Sequence, residues 1–133
     1  LTEPLKPDET PPQIGARRVG LGHFIDATGY SIAGFRRLLR ESAARQELGL
    51  GVVGLVVLAF AGASAGQFIG FVVLFCVLLA AEALNTAIEI LVNHLSPEWS
   101  QMAKDAKDLG SLAVGLLVIA NIAYLGGVVL GLV

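Results

Sequence analysis

Three long stretches of the chain, 48–66, 68–81 and 109–133, carry no charged side chain, and the helical pattern of the second continues past Glu82 to Leu95. Each approximates the twenty or so residues that cross a hydrocarbon core of roughly 30 Å at about 1.5 Å per helical residue. In a chain of 133 residues, 55% of them hydrophobic, three such stretches leave too little polar surface to wrap them as the buried helices of a water-soluble domain. The expected fold is therefore an all-α membrane protein with spans at about 48–66, 67–95 and 107–133. Residues 1–18 hold all but one of the prolines and lack the apolar core of a signal peptide, so they are expected to form a disordered cytosolic tail ahead of a membrane domain at 19–133.

The basic residues set the orientation. All nine Lys and Arg lie before the first span or between the second and third, the latter pair being Lys104 and Lys107. Basic residues favour the cytoplasm, which predicts a cytoplasmic N-terminus and second link, with the first link and C-terminus on the far side. Between tail and first span, Phe24, Ile25, Thr28, Ile32, Phe35 and Leu39 recur at helical spacing, with Arg36, Arg37 and Arg40 largely off that stripe. This predicts an amphipathic helix over 22–47 lying on the membrane surface, its arginines meeting anionic headgroups. The net charge of −2 gives no reason to expect a nucleic-acid partner. A single cysteine, Cys76, excludes an internal disulfide, and His23 and His94 lack the neighbours of a zinc site.

Glu82, Asn85 and Glu89 carry the most chemical information. Their i, i+3, i+7 spacing puts them on one face of the second span. Ionisable groups inside a span are costly and point to function. Glu82 is placed roughly 10 Å below the inner interface and Glu89 close to it. Glu82 suits a general base, and Glu89 suits a hard cation such as magnesium. Asn85 fits either the site or a polar seam between helices. The second link, with Ser96–Pro97 closing the second helix and Lys104, Asp105, Lys107 and Asp108 opening the third, offers lysine and free helix N–H groups to phosphate, Asp105 being expected only to cap the helix. Glu41 and Arg45 sit just ahead of the first span, where charges commonly anchor topology. Gly49, Gly51 and Gly54 spell G-x-G-x-x-G, but no strand precedes them, so a dinucleotide site is excluded. Glycine pairs 62/66, 66/70 and 127/131 have the spacing of close helix packing. These parts suit phosphoryl transfer, and spacing alone fits a proton or ion pathway equally well.

The run Glu82-Ala83-Leu84-Asn85-Thr86-Ala87-Ile88-Glu89 is similar to the E-x-x-N-[ST]-A-I-E segment of the prokaryotic diacylglycerol kinase family, and Ala106-Lys107-Asp108-Leu109-Gly110-Ser111 resembles its A-K-D-x-G-S segment. Gly29-Tyr30-Ser31, Gly34, Glu41 and Ala44-Arg45-Gln46-Glu47 resemble its surface helix and the start of its first span. The likeness runs from about residue 22 to 133, with departures at His23, Asp26 and Ile32. It implies a homotrimer of the bacterial inner membrane, with a surface helix and three spans per subunit, that uses Mg2+ and ATP to phosphorylate diacylglycerol to phosphatidate. On the matching positions, the resemblance implies Glu82 as general base, Asn85 as a residue that orients the site, and Glu41 and Glu89 as magnesium ligands. It likewise implies nucleotide contacts at Tyr30, Glu41, Glu89, Glu98, Trp99, Ser100, Lys107 and Asp108, and lipid contacts at Ser31, Arg45, Glu82 and Ser111. An undecaprenol kinase of the same fold, or a small oligomeric channel built on the Glu82–Glu89 stripe, are the competing expectations.

Overall fold

The computed structural model describes residues 21–133, with side chains from Asp26 onward, so the tail expected at 1–18 lies outside the described residues. Four helices follow one another: α1 (Leu21–Leu38), α2 (Ser42–Phe60), α3 (Ala65–Leu95) and α4 (Gln101–Val129). The described residues contain no strand. Helices α2, α3 and α4 are each long and apolar enough to cross a membrane, so the all-α membrane fold class expected from the sequence is the one observed. The chain divides into two compact units, one ending at Ala33 and one spanning Gly34–Val133.

The helix expected to run unbroken over 22–47 is interrupted at 39–41. The amides of Arg40 and Glu41 reach back three residues, to the carbonyls of Arg37 and Leu38 at 3.1 and 2.9 Å, which tightens and ends α1. The guanidinium of Arg45 donates to the carbonyls of Leu39 (3.1 Å) and Arg40 (2.8 Å), satisfying acceptors that the helix end leaves without partners. An Arg37–Glu41 ion pair bridges the break. Apolar periodicity runs on through Leu39, so the stop is invisible in it; the terminator is a side chain four residues into the next helix. Residues 42–47 therefore open α2 and carry Glu47 into the first spanning helix. On α1 the apolar side chains Ile32 and Phe35 stay about half exposed.

Successive spanning helices run antiparallel, and glycines bring them close. A methyl group at Gly51 or Gly54 of α2 would overlap the rings of Phe75 or Phe71 of α3. Along α4, Tyr124 lies over Gly70 and its hydroxyl donates to the carbonyl of Gln67 at 2.9 Å. Leu58, Phe71 and Val128, one from each spanning helix, form a core beside the α2–α3 link, and the Phe71 and Phe75 rings stack with centroids 6.1 Å apart. Of the three G-x-x-x-G pairs, only Gly70 sits against another helix. Gly62 and Gly131 instead take left-handed φ values of 68° and 69°, which close α2 and α4 as glycine does at helix ends.

The helix starts are equally local. Ser64 and Gln67 form a reciprocal capping box at α3. Ser100 caps α4 by accepting from the Ala103 amide at 3.2 Å, so this helix begins earlier than 107 and Asp105 is not its cap. Asp105 accepts from Gln101 Nε2 at 2.7 Å instead. Because Gly54 lies directly against the Phe71 ring, Gly54→Leu should overpack the α2–α3 contact by about 1–3 kcal/mol. A lowered thermal midpoint in detergent is the expected outcome, and an unchanged midpoint would show that the close approach is dispensable.

Candidate functional site

Helix α3 turns one continuous stripe toward α2 and α4, and that stripe changes character along its length. Phe71, Phe75 and Leu78 occupy the end near the α2–α3 link; Glu82, Asn85, Thr86 and Glu89 follow at three- and four-residue steps. At 31 residues, α3 is about 46 Å long, so it projects well beyond a hydrocarbon core of roughly 30 Å. Helix α2 supplies Glu47 from the same face as Gly51, Gly54 and Leu58, at steps of four, three and four. Helix α4 supplies Ser111.

These residues enclose a polar cavity of about 360 Å³, lined by Glu41, Glu47, Glu82, Asn85, Glu89 and Ser111, with Thr86 and Ser42 between them. Glu82 is only 4% exposed, so its carboxylate belongs to the interior of the protein rather than to the lipid-facing surface. A second, apolar groove of about 190 Å³ adjoins it, lined by the Phe71–Phe75–Leu78 stretch of α3 and by Asn121, Ile122 and Leu125 of α4. Glu47 lines both spaces.

Asn85 is wedged against α4: a methyl group at Gly110 would overlap its Oδ1. Its Nδ2 donates to Glu89 Oε1 at 3.4 Å, while Asn85 Oδ1 and Glu47 Oε2 are buried without a protein hydrogen-bond partner. Leaving a buried acceptor unpaired costs about 1–3 kcal/mol, and such atoms call for a functional explanation. Four carboxylates and two unpaired acceptors around one cavity can take a proton from a hydroxyl or share a hard cation with phosphate oxygens. Among the described residues no three His, Cys, Asp or Glu side chains are gathered tightly enough to chelate a metal by themselves. That donor set fits magnesium, which takes one or two carboxylates and completes its shell with phosphate and water.

The cavity thus gathers Glu41, Glu82, Asn85, Glu89 and Ser111 from the residues singled out in the sequence. Arg45 is engaged at the end of α1. Lys107 Nζ donates to Asn93 Oδ1 at 2.7 Å, and Asp108 pairs with Lys104. In the α3–α4 link, Ser100 caps α4 and its hydroxyl lies 3.0 Å from that of Ser96, while Glu98 and Trp99 are exposed. Tyr30 and Ser31 belong to the unit ending at Ala33, where Ser31 Oγ donates to the Ala27 carbonyl at 3.0 Å. Sequence reasoning missed Glu47 and Thr86. The signal for Glu47 was its place one turn before Gly51 on the glycine face of α2, readable only once α2 is known to start before it.

The family model for prokaryotic diacylglycerol kinase matches residues 29–130. The chain is similar to a diacylglycerol kinase of Sinorhizobium sp, with 40% identity over 86% of this chain and 83% of that protein. It is also similar to one of Pseudomonas aeruginosa, at 40% identity over 77% of this chain and 85% of the relative. A diacylglycerol kinase of Escherichia coli is 30% identical over 77% of this chain and 85% of its own length. The matched region contains every residue of the carboxylate cavity, and the chain belongs to the prokaryotic diacylglycerol kinase family, which makes it a membrane lipid kinase.

Proposed function

We propose that the chain transfers the γ-phosphoryl group of ATP to the free hydroxyl of diacylglycerol, yielding phosphatidate and ADP. One observation carries this reading: a cavity lined by carboxylates and an apolar groove meet at Glu47, so an amphiphile can lie with its tail in one and its hydroxyl in the other. The hydroxyl oxygen attacks the γ-phosphorus, the bond to the bridging oxygen of ADP breaks, and the hydroxyl proton passes to Glu82. Phosphoryl transfer asks mainly for positioning and charge neutralisation. Glu41 and Glu89 are the residues that would hold magnesium, which when bound supplies positive charge beside the phosphate oxygens. Asn85 orients the Glu89 carboxylate through its amide. Lys107, Asp108 and the Glu98–Ser100 stretch serve the nucleotide, and Arg45 and Ser111 serve the lipid.

The distribution of Lys and Arg supports a cytoplasmic N-terminus and α3–α4 link, which would put the nucleotide end of the site on the cytoplasmic side of the bacterial inner membrane and the C-terminus in the periplasm. A homotrimer, in which a neighbouring subunit covers the cavity, completes the reading. It is supported by the resemblance of the sequence to the family.

Protein purified in detergent should form phosphatidate from diacylglycerol only with Mg-ATP, and faster than it phosphorylates undecaprenol; a preference for undecaprenol would overturn the substrate assignment. Glu82→Gln should keep the thermal midpoint and ATP affinity while kcat falls by about 10²- to 10⁴-fold, the range of a lost general base. Near-normal turnover in that variant removes Glu82 from the role. Gly110→Ala should push the Asn85 amide off its seat and lower kcat by roughly 10- to 100-fold, since small misplacements of a reacting constellation are costly. Unaltered turnover there would mean that the seat of Asn85 is immaterial to catalysis.

A further inference from the structure

Two lysines stand at the start of α4, and the fold treats them differently. Lys104 is paired with Asp108 one turn along its own helix. Lys107 reaches across to α3, where its ammonium donates to Asn93 Oδ1 at 2.7 Å. Asn93 lies one turn beyond Glu89 on the stripe that runs through Glu82 and Asn85, and Lys107 lies one turn before Ser111, which lines the cavity. A helical turn of four residues rises about 6 Å. The Asn93–Lys107 contact is therefore the next rung after the cavity, at the end where α3 and α4 approach their connecting link.

We infer that Asn93 is a positioning residue that holds the Lys107 ammonium at the mouth of the carboxylate cavity for the phosphates of ATP. An ammonium has three N–H donors and four rotatable bonds behind it, so a lysine serving as a point charge is imprecise until something fixes it. A neutral amide oxygen fixes it with one hydrogen bond, leaves two donors free, and does not cancel the charge. The ion pair of Lys104 does cancel the charge, which makes Lys107 the better placed of the two cations for an anion. Asn93 is exposed, so the contact contributes little buried area and its removal need not disturb the fold. The inference rests on the reading that Lys107 serves the nucleotide.

The test is steady-state kinetics in detergent micelles with Mg-ATP and diacylglycerol, on Asn93→Leu, Asn93→Ser, Asn93→Asp, Lys107→Ala and the double variant Asn93→Leu/Lys107→Ala, each with its thermal midpoint. Asn93→Leu and Asn93→Ser should raise KM for ATP about tenfold, in keeping with loss of a hydrogen bond to a charged group, and leave KM for the lipid unchanged. Asn93→Asp, which keeps an acceptor but pairs Lys107 with a carboxylate that cancels its charge, should also raise KM for ATP. In the Lys107→Ala background, Asn93→Leu should have no further effect, because a residue that acts only through another is silent once that other is gone. If Lys107→Ala raises KM for ATP while the Asn93 variants do not, or if the two effects simply add, the positioning role is overturned and the nucleotide role of Lys107 stands. If Lys107→Ala leaves KM for ATP unchanged, the reading of Lys107 fails and the inference with it. A fall in thermal midpoint without a change in KM would assign Asn93 to helix stapling alone, against the proposal.

Discussion

Everything in this fold depends on α3 being pressed closely against both of its neighbours. Van der Waals contact and interhelical hydrogen bonds hold spanning helices together, because lipid tails are as apolar as leucine and offer no hydrophobic gain. Gly51 and Gly54 of α2 admit the rings of Phe75 and Phe71, Gly70 of α3 admits Tyr124, and Gly110 of α4 admits Asn85. The first three contacts are apolar or nearly so and sit toward the end carrying the Leu58–Phe71–Val128 core. The fourth belongs to the site. One structural device, a missing side chain opposite a large one, thus serves packing at one end of the bundle and chemistry at the other.

How much of this could be read from the residues differs by level. Span number and fold class follow from charge-free length, because a bilayer imposes its thickness on every helix that crosses it. The Glu82–Asn85–Glu89 face follows from helical periodicity, and the cavity gathers all three. Boundaries were less accessible. The break at 39–41 rests on Arg45 reaching backward to the Leu39 and Arg40 carbonyls, and the start of α4 rests on one serine hydroxyl. Neither leaves a trace in hydropathy. The glycine pairs show the limit of spacing most clearly: the same G-x-x-x-G interval includes a packing contact at Gly70 and backbone turns at Gly62 and Gly131, and only φ tells them apart.

Glu47 was lost through the same boundary. With α2 starting at 48, it is one more charge at a membrane edge. With α2 starting at Ser42, it is an inward-facing carboxylate one turn from Gly51. Its position between the apolar groove and the polar cavity gives the lipid kinase a junction that neither α3 nor α4 provides. A hydroxyl-bearing lipid is apolar for most of its length and polar at one end, and the two spaces meeting at Glu47 repeat that division.

Crowding four carboxylates around one cavity works against folding, since like charges repel and Glu82 is buried away from water. The chain does little to relieve it. Among the described residues the ion pairs are Arg37–Glu41 and Lys104–Asp108, so only Glu41 of the four has a basic partner. The unpaired Glu47 oxygen and the unpaired Asn85 oxygen add to the cost. A sequence selected for stability alone would have filled this end of the bundle as it filled the other, with rings against glycines. Strain kept at one end and close packing kept at the opposite end is the arrangement expected when the compensating groups come from a substrate: positive charge accompanying phosphate, and a hydroxyl that donates to a carboxylate. The ~46 Å length of α3 makes the division possible, because a helix much longer than the roughly 30 Å hydrocarbon core has length enough for both a closely packed half and a polar half.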